Sequence, residues 1–242
     1  MGALMENTNI AVTTLLICSC VGIIFICALA LQKRSESGAA AVYLALCGIC
    51  VAIYDFGYAM EIHSASLSET MFWVRFQHWG IQPLPPLWLI FALFVFGKKK
   101  LVTLKTGLAL FILPLAALAA SQTLGGLNIM HPNARLTAGE MLSRFEYDRG
   151  WAIYLATAVQ CLYLGASIVL FAIELVRGKP VPRRQAAIYL FGSLLPWASS
   201  IAYNYGFTPY NTDTTPLVLS LSVALFIYGL LKAGVLEKTG LS

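Results

Sequence analysis

Residues Thr8–Leu31 read TNIAVTTLLICSCVGIIFICALAL, and Gln32, Lys33 and Arg34 follow. No charge interrupts the stretch, which exceeds the ~20 mostly apolar residues an α-helix needs to cross about 30 Å of hydrocarbon. No basic residue precedes it and a basic flank follows directly, so it reads as a retained span and not a cleavable signal peptide. Six further stretches match it: Ala39–Glu61, Thr70–Phe96, Thr103–Ser121, Trp151–Val176, Gln185–Gly206 and Thr214–Ala233. The predicted fold is all-α, a polytopic membrane protein with seven transmembrane helices.

Composition points the same way. Hydrophobic residues make up 59% of the 242 and charged residues 11%, whereas soluble domains carry about 25% charged residues. The mean hydropathy is +0.76. The spans use nearly the whole chain, so residues 1–242 read as one membrane domain.

The charges alternate from connection to connection. Lys33 and Arg34, Lys98, Lys99, Lys100 and Lys105, Arg177, Lys179, Arg183 and Arg184, then Lys232 and Lys238 share one side. Arg135, Arg144 and Arg149 occupy the other, and Arg75 lies within a span. Lys and Arg accumulate in cytoplasmic loops, which predicts an outside N-terminus, a cytoplasmic C-terminus and a multi-pass protein of the inner (plasma) membrane. Glu6, Glu61, Glu69, Glu140, Glu146, Asp148 and Asp213 complement this on the outer side. The net charge of +5 is thus a topology signal, and no nucleic-acid partner follows from it. Cys18, Cys20, Cys27, Cys47, Cys50 and Cys161 all fall inside spans. They read as small packing residues, and no outer disulfide is expected.

One connection is long. Residues 122–150 form an outer loop, and loops of that length are usually lids or binding elements. Turn residues between apolar ones in Leu136-Thr-Ala-Gly-Glu-Met-Leu and Phe145-Glu-Tyr147 predict a small hairpin within it. The plain alternative is a solvated connector. Pro83, Pro85 and Pro86 interrupt the third span, Pro114 the fourth and Pro196 the sixth. Each removes a backbone donor, tolerable in lipid only where protein or water satisfies the freed carbonyl.

Asp55 and Arg75 lie about 8–10 Å below the outer ends of spans two and three, at 1.5 Å per residue. Charges at depth face the interior and pair, so an Asp55–Arg75 ion pair is expected, either as interhelical glue or lining a pocket. Tyr54 and Tyr58 share that level in span two, and Trp73, Gln77, Trp79 and Gln82 in span three. Arg75, Trp79 and Gln82 stand at i, i+4 and i+7, on one face. Span five adds Trp151, Tyr154 and Gln160, and span six Trp197, Tyr203 and Asn204. Any one of the aromatics could be an ordinary belt residue facing headgroups. Several amides at one level need partners, which predicts a hydrated, outward-facing ligand cavity between spans two, three, five and six.

Other chemistries lack their residues. No nucleophile–base set or phosphate-binding glycine loop is present, so no catalytic residue and no cofactor is expected. His63 and His78 are a weak metal candidate, and none is predicted. Haem would need histidine pairs at depth. A retinal Schiff base would need a lysine in the middle of the last span, whereas Lys232 lies at its end.

Span three reads Phe72-Trp-Val-Arg-Phe-Gln-His-Trp-Gly80, then Pro83-Leu-Pro-Pro-Leu-Trp88 and Phe91-Ala-Leu-Phe-Val-Phe-Gly97. Tyr58-Ala-Met-Glu61, Phe145-Glu-Tyr147, Arg183-Arg-Gln-Ala186, Pro196, Gly206-Phe-Thr-Pro209 and Thr214-Thr-Pro216 follow in order. Together they resemble the N-terminal seven-transmembrane sensor region of bacterial and archaeal histidine kinases. Asn128-Ile-Met-His131 stands where that family has an Asn-Pro-Leu-His-like stretch, and no role is assigned to it. The resemblance implies an outside-facing receptor whose last span leads to a cytoplasmic signalling module, in cis or in trans, usually a dimeric histidine kinase of a two-component system. The stretch to Ser242 carries no phosphoacceptor histidine or ATP-binding motif, so it is expected to be the non-catalytic sensor part of a longer chain or a stand-alone receptor.

The expected function is thus binding of a small extracellular or periplasmic ligand and relay through the last helix, with the proline-broken spans three and six as bistable elements. A secondary transporter or channel for a small polar molecule is the alternative, since broken helices and a polar site serve transport too. An integral-membrane enzyme is the weakest reading.

Overall fold

Ser66 Oγ accepts the Glu69 N–H at 3.3 Å, and the Glu69 carboxylate accepts the Ala65 N–H at 3.0 Å. Donors at the head of a helix have no intrahelical acceptor, so such side chains decide where helices begin. Here they open α3 (Leu67–Ile81). The computed structural model places it after α1 (Gly2–Gln32) and α2 (Arg34–Ile62), and before α4 (Leu84–Val95) and α5 (Leu104–Ser121). Strands β1 (Arg135–Ala138) and β2 (Ser143–Glu146) precede α6 (Trp151–Arg177), α7 (Arg183–Asn204) and α8 (Thr215–Thr239). The structure describes residues 2–32, 34–123, 128–138, 143–177, 182–205, 207–208 and 212–239, without side chains for 2–8, 34–37, 138, 143–144, 204 and 232–239.

Among the described residues six helices are long and apolar enough to cross a membrane, α3 and α4 counting together as one, and Thr215–Leu231 is a shorter apolar helix. The third span is not one bent helix but two, divided at Gln82 and Pro83. Pro83 is the N-cap residue of α4, and Pro85 and Pro86 stand in its first turn. A helix's first turn has no acceptor for an N–H, so prolines there forfeit no hydrogen bond. Gly97 (φ 67°) closes the span, with the Gly97 N–H on Phe94 O at 3.2 Å and the Lys98 N–H on Leu93 O at 2.8 Å. This is a Schellman ending, in which left-handed backbone at glycine turns the chain out. Pro114 and Pro196 lie within the continuous helices α5 and α7.

α2 is the hub of the bundle and packs on α1, α3, α4 and α8, while α6 joins α4, α5 and α7. The core is aromatic. Phe226 of α8 stacks on Phe91 of α4 at 5.4 Å between centroids, and Trp88, Tyr189 and Phe171 surround the pair. The buried Trp88 N–H donates to Ser193 Oγ at 3.2 Å. Lipid is as apolar as these side chains, so close packing and satisfied polar groups, not escape from water, hold such helices together. Gly80 shows how close the approach is: a Cβ there would lie 2.1 Å from the Cys50 carbonyl oxygen of α2. Cys27, Cys47 and Cys50 fill the buried seams, and all six cysteines are free thiols.

The long loop contains the expected hairpin, with β1 and β2 antiparallel and Arg135 opposite Glu146. Its tip, residues 139–142, lies outside the described residues. Two further bonds zip its base, Asp148 N–H to Pro132 O at 2.9 Å and Gly150 N–H to Met130 O at 3.2 Å. Gly150 is obligatory there, because a Cβ would lie 1.9 Å from Ile129 O. The loop base is therefore built onto the head of α6.

Candidate functional site

The zipped loop base faces the first two turns of α3 across a cleft of about 290 Å³. Leu67, Met71 and Arg75 form the helical wall, and Asn128, His131, Asn133 and Ala134 the loop wall. Arg75 is half-buried, its Nε is out of contact with solvent, and Nε has no hydrogen-bond partner. Its backbone carbonyl accepts from Gln122 Nε2 at 3.2 Å, which ties the start of the loop to α3. His131 is 3% exposed, and its Nδ1 also has no partner. Its N–H donates to Asn128 Oδ1 at 2.9 Å, and its ring packs edge-on to Tyr147 at 4.6 Å. Burial, and then the Arg75 charge, push the His131 imidazole down to about 4, so it is neutral near pH 7. Asn133 turns the chain at φ 54° and donates through Nδ2 to Asp148 at 2.7 Å.

The expected Asp55–Arg75 ion pair is not formed. Asp55 is fully buried and accepts from Ser220 Oγ of α8 at 2.8 Å. The two charged residues point from their helices to different neighbours, one to α8 and one to the loop. Among the described residues the ion pair recorded is Arg135–Glu146 at 3.1 Å, across the hairpin.

The other expected residues divide into interhelical bonds and lipid-side aromatics. The Tyr54 O–H donates to Asp213 Oδ2 at 2.6 Å, and the Asp213 N–H donates to Tyr58 Oη at 2.8 Å. Asp213 Oδ1 accepts the Thr215 N–H at 2.9 Å, satisfying a donor at the head of α8. Gln77 donates to Glu61 at 2.6 Å, joining α3 to α2. Gln82 is buried, donates to His78 Nδ1 at 3.0 Å and receives a long 3.5 Å contact from Gln160 of α6. Trp73 packs edge-on among Phe56, Phe72 and Phe76. Trp79, Trp151 and Tyr154 are more than half exposed, on surfaces that lipid or headgroups would cover. Arg75, Trp79 and Gln82 therefore share no environment, although their spacing is helical: Trp79 is exposed and Gln82 is buried against His78 and Gln160. Trp197 and Tyr203 are half-buried. The side chain of Asn204 lies outside the described residues.

Sequence reasoning missed the loop side of the cleft, Asn128, His131 and Asn133. The available signal was polar residues flanking Pro132, opposite a span with a charge inside it. It also missed Ser220, Glu61 and Asp213 as partners of the expected residues. Among the described residues no group of three His, Cys, Asp or Glu side chains could hold a metal ion.

The fold and its polar seams define a polytopic helical membrane protein with a polar cleft at the loop end of the bundle. The family model for the N-terminal 7TM region of histidine kinase matches residues 15–238. The chain belongs to that family, which gives it a membrane sensor role alongside a cytoplasmic signalling domain. No curated protein matches it.

Proposed function

We propose that residues 1–242 form one seven-span sensor domain of the plasma membrane, with the N-terminus outside and the C-terminus in the cytoplasm. It binds a small extracellular or periplasmic molecule in the cleft beside Arg75 and passes the event through α8 to a histidine kinase module. The alternation of basic connections supports the orientation.

The observation that carries the reading is a chain of part-buried and buried hydrogen bonds leading away from the cleft. Two residues beyond Arg75 on the same helix, Gln77 is bonded to Glu61 of α2. α2 in turn holds α8 through Tyr54, Tyr58 and Asp55. A ligand shifts a conformational equilibrium only by its difference in affinity for two arrangements. A displacement of α3 that the ligand favours would be felt at Glu61 and then at the head of α8. In this reading Arg75 contacts the ligand, and Tyr54, Asp55, Tyr58 and Gln77 transmit.

The test places a cysteine at Ala134 in the full chain and treats intact cells with a membrane-impermeant maleimide. Labelling before lysis is expected. Labelling only after the cells are opened would put the cleft on the cytoplasmic side and end the proposal.

A further inference from the structure

Both walls of the cleft hold a buried polar atom with nothing to bond, Arg75 Nε on the helix and His131 Nδ1 on the loop. Such atoms are costly in an apolar setting and are normally satisfied. Among the described residues Arg75 is the one charged residue lining the cleft, and no carboxylate lies within ion-pairing distance of it. Asp148, an acid of the loop, is engaged by Asn133. Asp55 and Glu61 are engaged by Ser220 and Gln77. The guanidinium is thus a half-buried cation with no carboxylate partner among the described residues. Leu67 and Met71 cover the rest of the helical wall, so the space beside the charge is apolar. The volume is that of about ten water molecules at ~30 Å³ each.

Resting on the sensor reading above, we infer that the cleft takes a small organic acid, its carboxylate on the Arg75 guanidinium and a short apolar body against Leu67 and Met71. Guanidinium and carboxylate match as a two-pronged, charge-assisted pair, a geometry that a lysine cannot reproduce. The amides of Asn128 and Asn133 lie on the opposite wall within the same cleft. A phosphate dianion would ask for a second cation, and the described lining has none. A cationic ligand would meet Arg75 with no acid to offset it.

The experiment uses the full chain with Ala134→Cys in nanodiscs and follows maleimide labelling at that position. Three probes of one shape are compared: 3-methylbutanoate, its neutral amide, and 3-methylbutylamine. The acid is expected to slow labelling saturably, and the amide and amine to leave it unchanged. Arg75→Gln should weaken protection by the acid at least tenfold, measured against that variant's own unprotected labelling rate. If that variant does not fold, Arg75→Lys serves, with an expected loss of about tenfold from the missing fork. Arg135→Gln, on the exposed hairpin, should change nothing.

Protection by the amide or the amine equal to that by the acid would overturn the acid inference and leave the cleft as the site. Protection that survives at Arg75→Gln would do the same. No protection by any probe overturns the inference, while labelling of intact cells from outside still stands for the sensor reading. Labelling only after lysis removes both.

Discussion

Tyr54 Oη stands 2.6 Å from Asp213 Oδ2, which fastens the middle of α2 to the residue that caps α8. Asp213 makes three such bonds, two to tyrosines one turn apart on α2 and one to the α8 backbone. The start of the last helix is therefore set by α2 and not by its own loop. Interhelical hydrogen bonds in membrane proteins average about 0.6 kcal/mol and reach about 1.7. A bond to a carboxylate belongs near the upper end. Tyr54→Phe should cost about 1–2 kcal/mol in a denaturant titration. Its effect should largely vanish in an Asp213→Ala background, which removes the acceptor, and additive costs in that double-mutant cycle would deny the coupling.

Gly80 carries the contact between α3 and α2. With the Cys50 carbonyl 2.1 Å from where a Cβ would be, Gly80→Ala must push the two helices apart. Overpacking of this kind costs about 1–3 kcal/mol. Gly165 of α6 has open space around it. There an alanine should be neutral or stabilising by up to about 1 kcal/mol, through helix propensity alone. Thermal unfolding of the two variants in one detergent gives the comparison.

His131 gives the loop a pH dependence with a definite sign. In the closed loop its imidazole is held down to about 4 by burial and the Arg75 charge, whereas an opened loop returns it toward about 6.5. Its ring faces His78, Tyr147 and Phe145. Between those two values the opened state binds more protons, so closure is strongest above about 6.5 and weakens as pH falls toward 4. Amide exchange at residues 128–134 should therefore quicken over that window. His131→Gln should flatten the dependence, and an unchanged slope would place its origin elsewhere.

The hairpin pair Arg135–Glu146 is expected to matter little. The Arg135 side chain is 57% exposed and that of Glu146 31%, and exposed pairs contribute between nothing and about 1 kcal/mol. Arg135→Gln should slow-exchange-protect the hairpin amides only slightly less than the native residue, and the difference should disappear in ~1 M salt, where charges are screened within about 3 Å.

Much of the molecule is legible residue by residue. Thr8–Leu31 announces a membrane helix by its length and apolarity. Pro83, Pro85 and Pro86 announce a break, because a missing N–H is a local fact. The turn residues around Leu136–Leu142 announce a hairpin for the same reason. The partners of Asp55 and Arg75 were not legible in this way. Depth follows from counting residues, and depth placed the two side by side. Which way each helix turns about its axis does not follow from counting.

Hydropathy, charge placement and turn chemistry act within a few residues, so the chain itself determined its long apolar helices, the split of the third span and the hairpin strands. The assignment of Asp55 to Ser220, Tyr54 to Asp213 and Arg75 to the cleft was decided only in the assembled bundle. A helix that is apolar all round carries no stripe to say which face turns inward. Lipid, being as apolar as the core, adds no preference. Rotation was left to side-chain packing and to close approaches such as Gly80 on Cys50, and these exist only once the helices meet.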